Sequence, residues 1–92
     1  MAVLMQARAH GMTEEQYEQV TGGDFKDRLH NADGYIGLHA AGPIDGGYQV
    51  FEVWRAEADH KRWIEQAVAP NVPPEAMETM EVIYHPLSKA IR

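Results

Sequence analysis

Residues 34–70 constrain the fold of this chain more than any other part of the sequence. Two apolar segments with high β-propensity are separated by a short stretch rich in Gly, Pro and Asp, and a helical pattern follows directly. Residues 42–47 supply one fixed φ and several positions that adopt positive φ at low cost. We therefore predict a β-hairpin of strands 35–41 and 48–55, followed by a helix over residues 57–69.

Two further strands and one further helix complete the pattern. Residues 2–9 and 78–85 each alternate apolar and polar side chains, which predicts half-buried strands. A capping-box pattern from Thr13 to Gln16 predicts the start of a helix. Gly22-Gly23 is expected to break this helix, which then resumes as a short turn. Pro73-Pro74 is expected to prevent any helix from resuming after the second one.

The predicted order is βαββαβ. Two right-handed βαβ crossovers fold this order into a four-stranded antiparallel sheet with strand order 4-1-3-2 and both helices on one face. This is a ferredoxin-like α+β fold, and residues 1–92 make a single domain with a tail at 87–92. The strands carry apolar residues on both faces, so each face needs a covering layer. A second copy of the sheet would cover the open face, which predicts a homodimer.

Composition excludes several classes of function. The net charge is −6 and the eight Lys and Arg residues are not clustered, which disfavours nucleic acid and anionic membrane surfaces as partners. The absence of cysteine excludes disulfides, thiolate nucleophiles and Cys-ligated zinc. No secretory signal pattern and no apolar window of roughly 20 residues is present. We therefore expect a cytoplasmic protein.

The five histidines do not predict a metal site within one protomer. His10 and His85 end neighbouring antiparallel strands, so they lie at opposite ends of the sheet. His39 and His85 lie on the two edge strands, and three strand spacings of about 4.8 Å separate them. Such a separation is too large for a shared metal, whose Zn–N bonds are about 2 Å long. No metal is expected, although a site shared across a dimer stays open.

His39 and His60 are the candidate catalytic residues. His39 lies within an apolar strand, and histidine is the side chain that exchanges protons near neutral pH. The alternative for His39 is a hydrogen bond to backbone at the dimer interface. His60 opens the apolar stripe of the second helix, from which it could reach the space between helices and sheet. The alternative for His60 is a partly exposed position at the start of that helix.

Aromatic residues and one carboxylate are the candidate substrate-binding residues. The set consists of Tyr17, Tyr35, Glu52, Trp54, Trp63 and Tyr84. Apolar walls with few polar groups are typical of ligand pockets, but aromatic residues on the inner face of a small sheet also form ordinary core. A buried Glu52 could act as a base, whereas an ion pair of Glu52 with Arg8 or Arg55 at the dimer interface is equally consistent with the sequence.

The predicted hairpin and the helix that follows it combine several short motifs, namely Leu38-His39, Gly42-Pro43, Gly46-Gly47-Tyr48, the run from Val53 to Glu57, and Trp63. Mainly through these motifs, the chain resembles the antibiotic-biosynthesis-monooxygenase-like superfamily of dimeric α/β-barrel proteins. The resemblance covers nearly the whole chain. It implies a dimeric α/β barrel, but it names no single activity, because the superfamily includes cofactor-free oxygenases, haem-degrading enzymes, isomerases and proteins of no known activity.

The haem-degrading branch of that superfamily is a poor match. It uses an Asn on the first strand, a Trp on the second helix and a His about ten residues later. In this chain Gln6 is the only amide on the first strand, Trp63 matches, and Pro73-Pro74 lie where the His is needed. The aromatic-polyketide oxygenases of the superfamily resemble the chain in size and in having a tryptophan-lined pocket without metal or flavin.

Two functional hypotheses remain open. The first is a cofactor-independent enzyme acting on an apolar, aromatic or polyketide-like small molecule. His39 would remove a proton, and the carbanion or enolate would react with O₂ in a cavity lined by Trp54, Trp63 and Tyr17, or would undergo isomerisation or cyclisation. The second is a dimeric small-molecule-binding or accessory protein without catalysis. No cofactor is expected under either hypothesis.

Overall fold

The computed structural model describes residues 1–88, so the last four residues of the predicted tail lie outside the described part. The four strands form one antiparallel sheet in the order β2-β3-β1-β4, which confirms the predicted order and the ferredoxin-like α+β fold. In chain order the elements are β1 (Val3–His10), α1 (Glu14–Thr21), α2 (Phe25–His30), β2 (Tyr35–Ile44), β3 (Gly47–Trp54), α3 (Glu57–Trp63), α4 (Pro74–Glu78) and β4 (Met80–Pro86).

Helix α1 begins as its sequence predicts. The Gln16 backbone N–H donates to the Thr13 hydroxyl at 3.1 Å, and the Thr13 N–H donates to the Gln16 side-chain oxygen at 3.0 Å. Both donors would otherwise lack an intrahelical acceptor. The helix ends before Gly22-Gly23, and α2 begins two residues later, because the second glycine adopts a left-handed φ of 65°.

The hairpin loop is shorter than predicted. Strand β2 continues through Pro43 to Ile44, and β3 already begins at Gly47. Only Asp45-Gly46 forms the loop, with Gly46 at a φ of 78°. Asp-Gly is a favoured two-residue hairpin loop, because its twist matches that of the two flanking strands.

The region after β3 differs from the prediction in two ways. Helix α3 ends at Trp63, and the chain continues through a π turn (Ile64–Val68) and a 3₁₀ turn (Ala69–Asn71) instead of a regular helix to residue 69. Helix α4 forms at Pro74–Glu78, so the expectation that prolines prevent a further helix is wrong. Proline is tolerated at the first helical position, where its missing N–H costs no bond. No helix among residues 1–88 is long and apolar enough to cross a membrane.

The core lies between the helices and one face of the sheet. Met5 and Trp54 from the sheet are buried against Phe25, Leu29 and Trp63 from the helices. The opposite face of the sheet is the open face in this protomer. It carries polar side chains together with apolar ones that are only partly buried or exposed, among them Leu4, Phe51, Val53 and Ile83.

Strand β2 is irregular between Tyr35 and His39. Tyr35 pairs with Trp54 and His39 pairs with Glu52, so β2 uses four residue steps where β3 uses two. The extra residues are accommodated by two register shifts around Gly37 and Leu38. Leu38 has a φ of 61°, and it is the only non-glycine residue with positive φ in the described part of the chain. Bulges of this kind re-aim side chains and are frequent beside active sites.

An ion-pair cluster fixes the start of α3 against the start of β2. Arg55 Nη2 donates to Asp59 Oδ1 at 2.8 Å, and Arg62 Nη2 reaches the same oxygen at 3.3 Å. The hydrogen bond from Arg55 holds the pKa of Asp59 below its usual value. Gly34 approaches Asp59 so closely that a Cβ there would overlap the carboxylate, and its φ of 88° also favours glycine.

Candidate functional site

Four side chains form a continuous hydrogen-bonded chain beneath the helices. The Tyr17 hydroxyl lies 2.6 Å from His39 Nε2, and His39 Nδ1 lies 2.6 Å from Glu52 Oε2. The second carboxylate oxygen, Glu52 Oε1, accepts a hydrogen bond of 3.0 Å from Trp54 Nε1. We call the first three residues, Tyr17, His39 and Glu52, the proton relay.

Neighbouring elements hold the relay in place. Glu52 and His39 are direct cross-strand neighbours on the inner face of the sheet, in the register that the hairpin loop sets. Tyr17 comes from the first turns of α1 and stacks on Tyr48, with ring centroids 4.9 Å apart. The ring of Phe25 lies edge-on to the imidazole of His39 at 5.8 Å. Each relay residue therefore comes from a different element, namely α1, β2 and β3.

The hydrogen bonds of the relay fit one tautomer of a neutral His39. Glu52 is 3% exposed and accepts from Trp54, and in this tautomer its other oxygen accepts the N–H at His39 Nδ1. A lone pair is then left on His39 Nε2, which accepts from the Tyr17 hydroxyl. Burial raises the pKa of Tyr17 above its ordinary value, which keeps the phenol protonated at neutral pH. The free nitrogen of His39 thus contacts one ionisable hydroxyl.

A small apolar cavity lies on the inner side of the relay. We call it the inner cavity, and its volume is about 70 Å³. Its walls include Met5, Ala7, Val50, Trp63, Ile64 and Val68, with the relay and His60 as the main polar groups. Typical ligand sites measure roughly 300–1,000 Å³. The inner cavity therefore admits a few water molecules or a diatomic gas, but not a polycyclic substrate.

A larger groove lies on the outer side of the same relay. We call it the outer groove, and its volume is about 410 Å³. It runs between α1, α2 and the start of β2, with walls that include Phe25, Lys26, Leu29, His30, Tyr35 and Leu38. Tyr17 and His39 border both the outer groove and the inner cavity. The Tyr17–His39 hydrogen bond consequently lies at the boundary between the two spaces.

His60 forms a second polar pair inside the core. It is 1% exposed, so the alternative of a partly exposed residue is not observed. Its Nδ1 lies 2.8 Å from the Tyr84 hydroxyl, while its Nε2 is buried and has no hydrogen-bond partner among residues 1–88. Burial lowers the pKa of His60 to about 4 and raises the pKa of Tyr84 to about 12. The pair is therefore neutral near pH 7.

The structure distributes the predicted site residues over four places. His39, Tyr17 and Glu52 come together in the relay, and Trp63 and His60 line the inner cavity. Tyr35 lines the outer groove. Trp54 is completely buried and holds Glu52, and Tyr84 holds His60.

The contacts within the protomer give Glu52 two partners. Glu52 pairs with His39 and Trp54, and neither Arg8 nor Arg55 contacts it within this protomer. Arg55 pairs instead with Asp59 and Asp33. Within residues 1–88 no group of three or more His, Cys, Asp or Glu side chains is placed to hold a metal ion.

Three residues outside the predicted catalytic and substrate-binding set also belong to the site. Phe25 and Tyr48 pack on the relay rings, and Leu38 forms one edge of the outer groove. The helical spacing of Phe25 and the β-propensity of Tyr48 predict burial, but not contact with His39. The positive φ of Leu38 has no signal in the sequence, because leucine rarely adopts that conformation.

Comparison with known proteins supports the fold through solved structures. No family model matches the chain, and no curated protein matches it. A structural-genomics protein, YJCS, superimposes with a TM-score of 0.61 at 14% identity, covering 96% of this chain and 100% of that one. A point variant of SnoaB, a cofactor-independent oxygenase from Streptomyces nogalater, gives a TM-score of 0.58 at 15% identity, covering 98% and 95%.

A third solved structure has the same architecture. It is a protein from Deinococcus radiodurans whose assignment as an antibiotic biosynthesis monooxygenase is provisional. Its TM-score is 0.54 at 10% identity, with 100% of this chain and 97% of that chain covered. At such identities the likeness concerns the fold and not the chemistry. The chain shares its ferredoxin-like α+β fold with these solved structures.

Proposed function

We propose that this protein is a cofactor-independent enzyme that uses His39 as a base on an apolar or aromatic small molecule. The observation that carries the proposal is the buried proton relay, in which a carboxylate, an imidazole and a phenol are joined by two hydrogen bonds of 2.6 Å. Two of its members border both an apolar cavity and an open groove. This arrangement supports a proton transfer at the boundary between the two spaces.

The relay accepts a proton without leaving an isolated buried charge. When a substrate proton moves to the Tyr17 oxygen, the Tyr17 proton moves to His39 Nε2. The imidazolium that forms is then paired with the Glu52 carboxylate at Nδ1. A buried carboxylate in this position both fixes the tautomer and stabilises the positive ring, as in other carboxylate–histidine pairs. Glu52 acts here as a positioning residue, and Tyr17 and His39 exchange the proton.

In the oxygenase version, the relay removes a proton from a CH₂ carbon whose carbanion is conjugated with a carbonyl. The electron pair left on carbon forms a bond to O₂, and the proton returns from the relay to give a hydroperoxide. Loss of water then leaves a carbonyl, so one oxygen atom ends in the product and one in water. The inner cavity fits O₂, and SnoaB of similar fold is a cofactor-independent oxygenase. In the non-oxidative version, the same base drives isomerisation or cyclisation.

A non-catalytic binding protein is the competing proposal. Such a protein needs an apolar site, but it does not need a neutral base held by a buried carboxylate. Burying Glu52 is costly unless the charge is paired and hydrogen-bonded. Here the buried carboxylate is paired with an imidazole that borders both the inner cavity and the outer groove. Such an arrangement favours a catalytic role over binding alone. The enzymatic proposal is therefore the one that the described contacts support better.

Oxidation of 1,8-dihydroxyanthrone under air tests the enzymatic proposal. This ligand has an acidic CH₂ group next to a carbonyl-bearing ring system, and the formation of its quinone is followed by absorbance. The His39→Ala variant is expected to lose about 100-fold in rate, because general-base catalysis contributes roughly 10²- to 10⁴-fold. Imidazole added to this variant should restore about tenfold, since the ring refills the space that the substitution leaves.

The His10→Ala variant is the matched control. His10 lies at the far end of β1, where it pairs with an exposed glutamate, so its loss should not change the rate. Wild-type protein that gives no acceleration above buffer, with either oxidation or isomerisation of this ligand, would favour the binding protein. Equal rates for wild type and the His39→Ala variant would remove His39 as the base.

We also propose that two copies pair through the open face of the sheet. Phe51 and Val53 on this face are only partly buried, and Ile83 is exposed, although all three are apolar. Pairing of two such faces would remove this surface from water. Sedimentation at micromolar concentration is expected to give a dimer for wild type and for a Glu65→Lys control on the helical side. The Ile83→Lys variant should sediment as a monomer, and a monomeric wild type would refute the pairing.

A further inference from the structure

The outer groove has an apolar edge that folding alone does not explain. Leu38 is 53% exposed, and its φ of 61° lies in the left-handed region. This conformation strains a leucine, whereas a glycine would adopt it freely. Residues held in such conformations cluster at sites that contact ligands. Since Leu38 neither fills the core nor relieves strain, its position suits contact with a molecule in the groove.

A cationic side chain lies on the same groove. Lys26 on α2 lines it, and no salt bridge involves this lysine among residues 1–88. Lys61, by contrast, pairs with Glu57 at 3.6 Å. The chain carries a net charge of −6, and Lys26 places a cation without a carboxylate partner among the described residues on this groove. It would attract a carboxylate or another anionic group of a ligand.

The outer groove is also large enough to hold a small molecule, and residues of the relay line it. Its volume of about 410 Å³ lies within the usual range for small-molecule sites, whereas the inner cavity is far below it. The walls include the aromatic rings of Phe25 and Tyr35, and the floor is formed by Tyr17 and His39. A flat ring system placed between these walls would have its reacting atom next to the relay.

We propose that the outer groove binds the organic substrate, and that this substrate is a planar conjugated acid. The ring system packs against Leu38 and the aromatic walls, and the anionic group of the acid lies near Lys26. The inner cavity is then left for the small co-substrate. This inference rests on the proposed function for the role of the relay, but the binding itself requires no turnover.

Binding of two matched ligands tests the inference. The dissociation constants of 1-hydroxy-2-naphthoate and of uncharged 1-naphthol are measured by calorimetry for wild type and variants. The Leu38→Asn variant should bind both ligands about tenfold more weakly, because both lose the same apolar contact. Its thermal stability should be unchanged or higher, since Asn tolerates the left-handed region better than Leu.

Substitution of Lys26 separates the contribution of the ligand's charge to binding from the contribution of its packing. The Lys26→Gln variant should bind the naphthoate about fivefold more weakly and the naphthol unchanged. The Lys61→Gln variant, which alters a lysine outside the groove, should bind both ligands as wild type does. Failure of both ligands to bind wild type at millimolar concentration would overturn the inference. So would a Leu38→Asn variant that binds like wild type, or one that changes only the oligomeric state.

Failure of the inference and failure of the proposed function give different results. If the naphthoate binds in a Leu38- and Lys26-dependent way while 1,8-dihydroxyanthrone is not turned over, the groove is a binding site and the enzymatic proposal falls. If His39-dependent turnover is observed while neither groove substitution changes binding or KM, the substrate enters elsewhere and the groove proposal falls.

Discussion

Replacing Glu52 with Gln is expected to slow the oxidation of 1,8-dihydroxyanthrone by about 100-fold, a loss as large as that from removal of His39 itself. The reason is the hydrogen bond from Trp54 Nε1 to Glu52 Oε1. This fixed donor needs an acceptor, so the amide oxygen of the introduced glutamine would face Trp54 and its NH₂ group would face His39. His39 Nδ1 would then have to accept a hydrogen bond, and the ring proton would move to Nε2. The nitrogen that contacts Tyr17 would no longer be a base.

The tautomer itself is measurable without any substrate. Long-range ¹⁵N NMR of histidine is expected to show the proton of His39 on Nδ1 in wild type and on Nε2 in the Glu52→Gln variant. Urea unfolding of the same two proteins provides the stability control. A variant that loses the rate while its His39 tautomer stays unchanged would show that the carboxylate acts by charge alone, and the assignment of protons in the relay would be wrong.

A second substitution provides the matched control for this argument. In the Glu52→Gln/Trp54→Phe double variant, the introduced amide is free to turn, because the indole N–H is absent. Its oxygen can then accept from His39 Nδ1, so about tenfold of the lost rate should return despite the cost of a smaller core residue. Trp54→Phe alone should change the rate little. Additive losses in the double variant would contradict the orientation argument.

The fold could be predicted from the sequence because each element has a local signal. The Thr13–Gln16 capping box fixes the start of α1, and alternation of apolar residues marks β1 and β4. These signals involve residues close in the sequence, so they do not depend on tertiary contacts. The π turn after Trp63 has no such signal, and helix α4 begins at Pro74, where a proline that ends one helix also fits the first position of the next.

The relay could be predicted residue by residue but not as a cluster. Its assembly depends on strand register, which is set at the hairpin loop. Counting from the Asp45-Gly46 loop places His39 opposite Glu52, as observed. Counting from the other end, where Tyr35 pairs with Trp54, would place Gly37 opposite Glu52 in a regular strand. The predicted loop of residues 42–47 is too long to define the register of the two strands. The contact between His39 and Glu52 could therefore not be predicted from the sequence alone.

The role of Tyr17 could not be predicted, because its hydrogen-bond partner lies far away in the sequence. Its hydrophobic position in α1 predicts that it faces the sheet, and the structure places its hydroxyl on a histidine 22 residues away. Nothing local to Tyr17 indicates that partner. The same holds for the contact of His60 with Tyr84, which joins α3 to the edge strand β4. Polar pairs between distant elements are therefore the part of the site that required the structure.

His60 is expected to make the folded state lose stability as the pH falls from about 6.5 to about 4. Burial lowers the pKa of His60 to about 4, against an ordinary value of 6.5, although the charge of Glu52 opposes this effect. Between these values the unfolded chain binds a proton that the folded chain does not, so acid favours unfolding. The free energy of unfolding should fall by roughly 3 kcal/mol across this window, at about 1.36 kcal/mol for each unit of pKa difference.

Urea unfolding at a series of pH values measures this dependence, and the His60→Asn variant is the control. The Asn amide can still contact the Tyr84 hydroxyl as His60 Nδ1 does, but it does not titrate. Its unfolding free energy should therefore be flatter than that of wild type between pH 4 and 6.5. Asp59 does not obscure the comparison, because its pKa is lowered and its contribution is lost only at still lower pH. Equal slopes for the two proteins would mean that His60 takes up its proton inside the folded core.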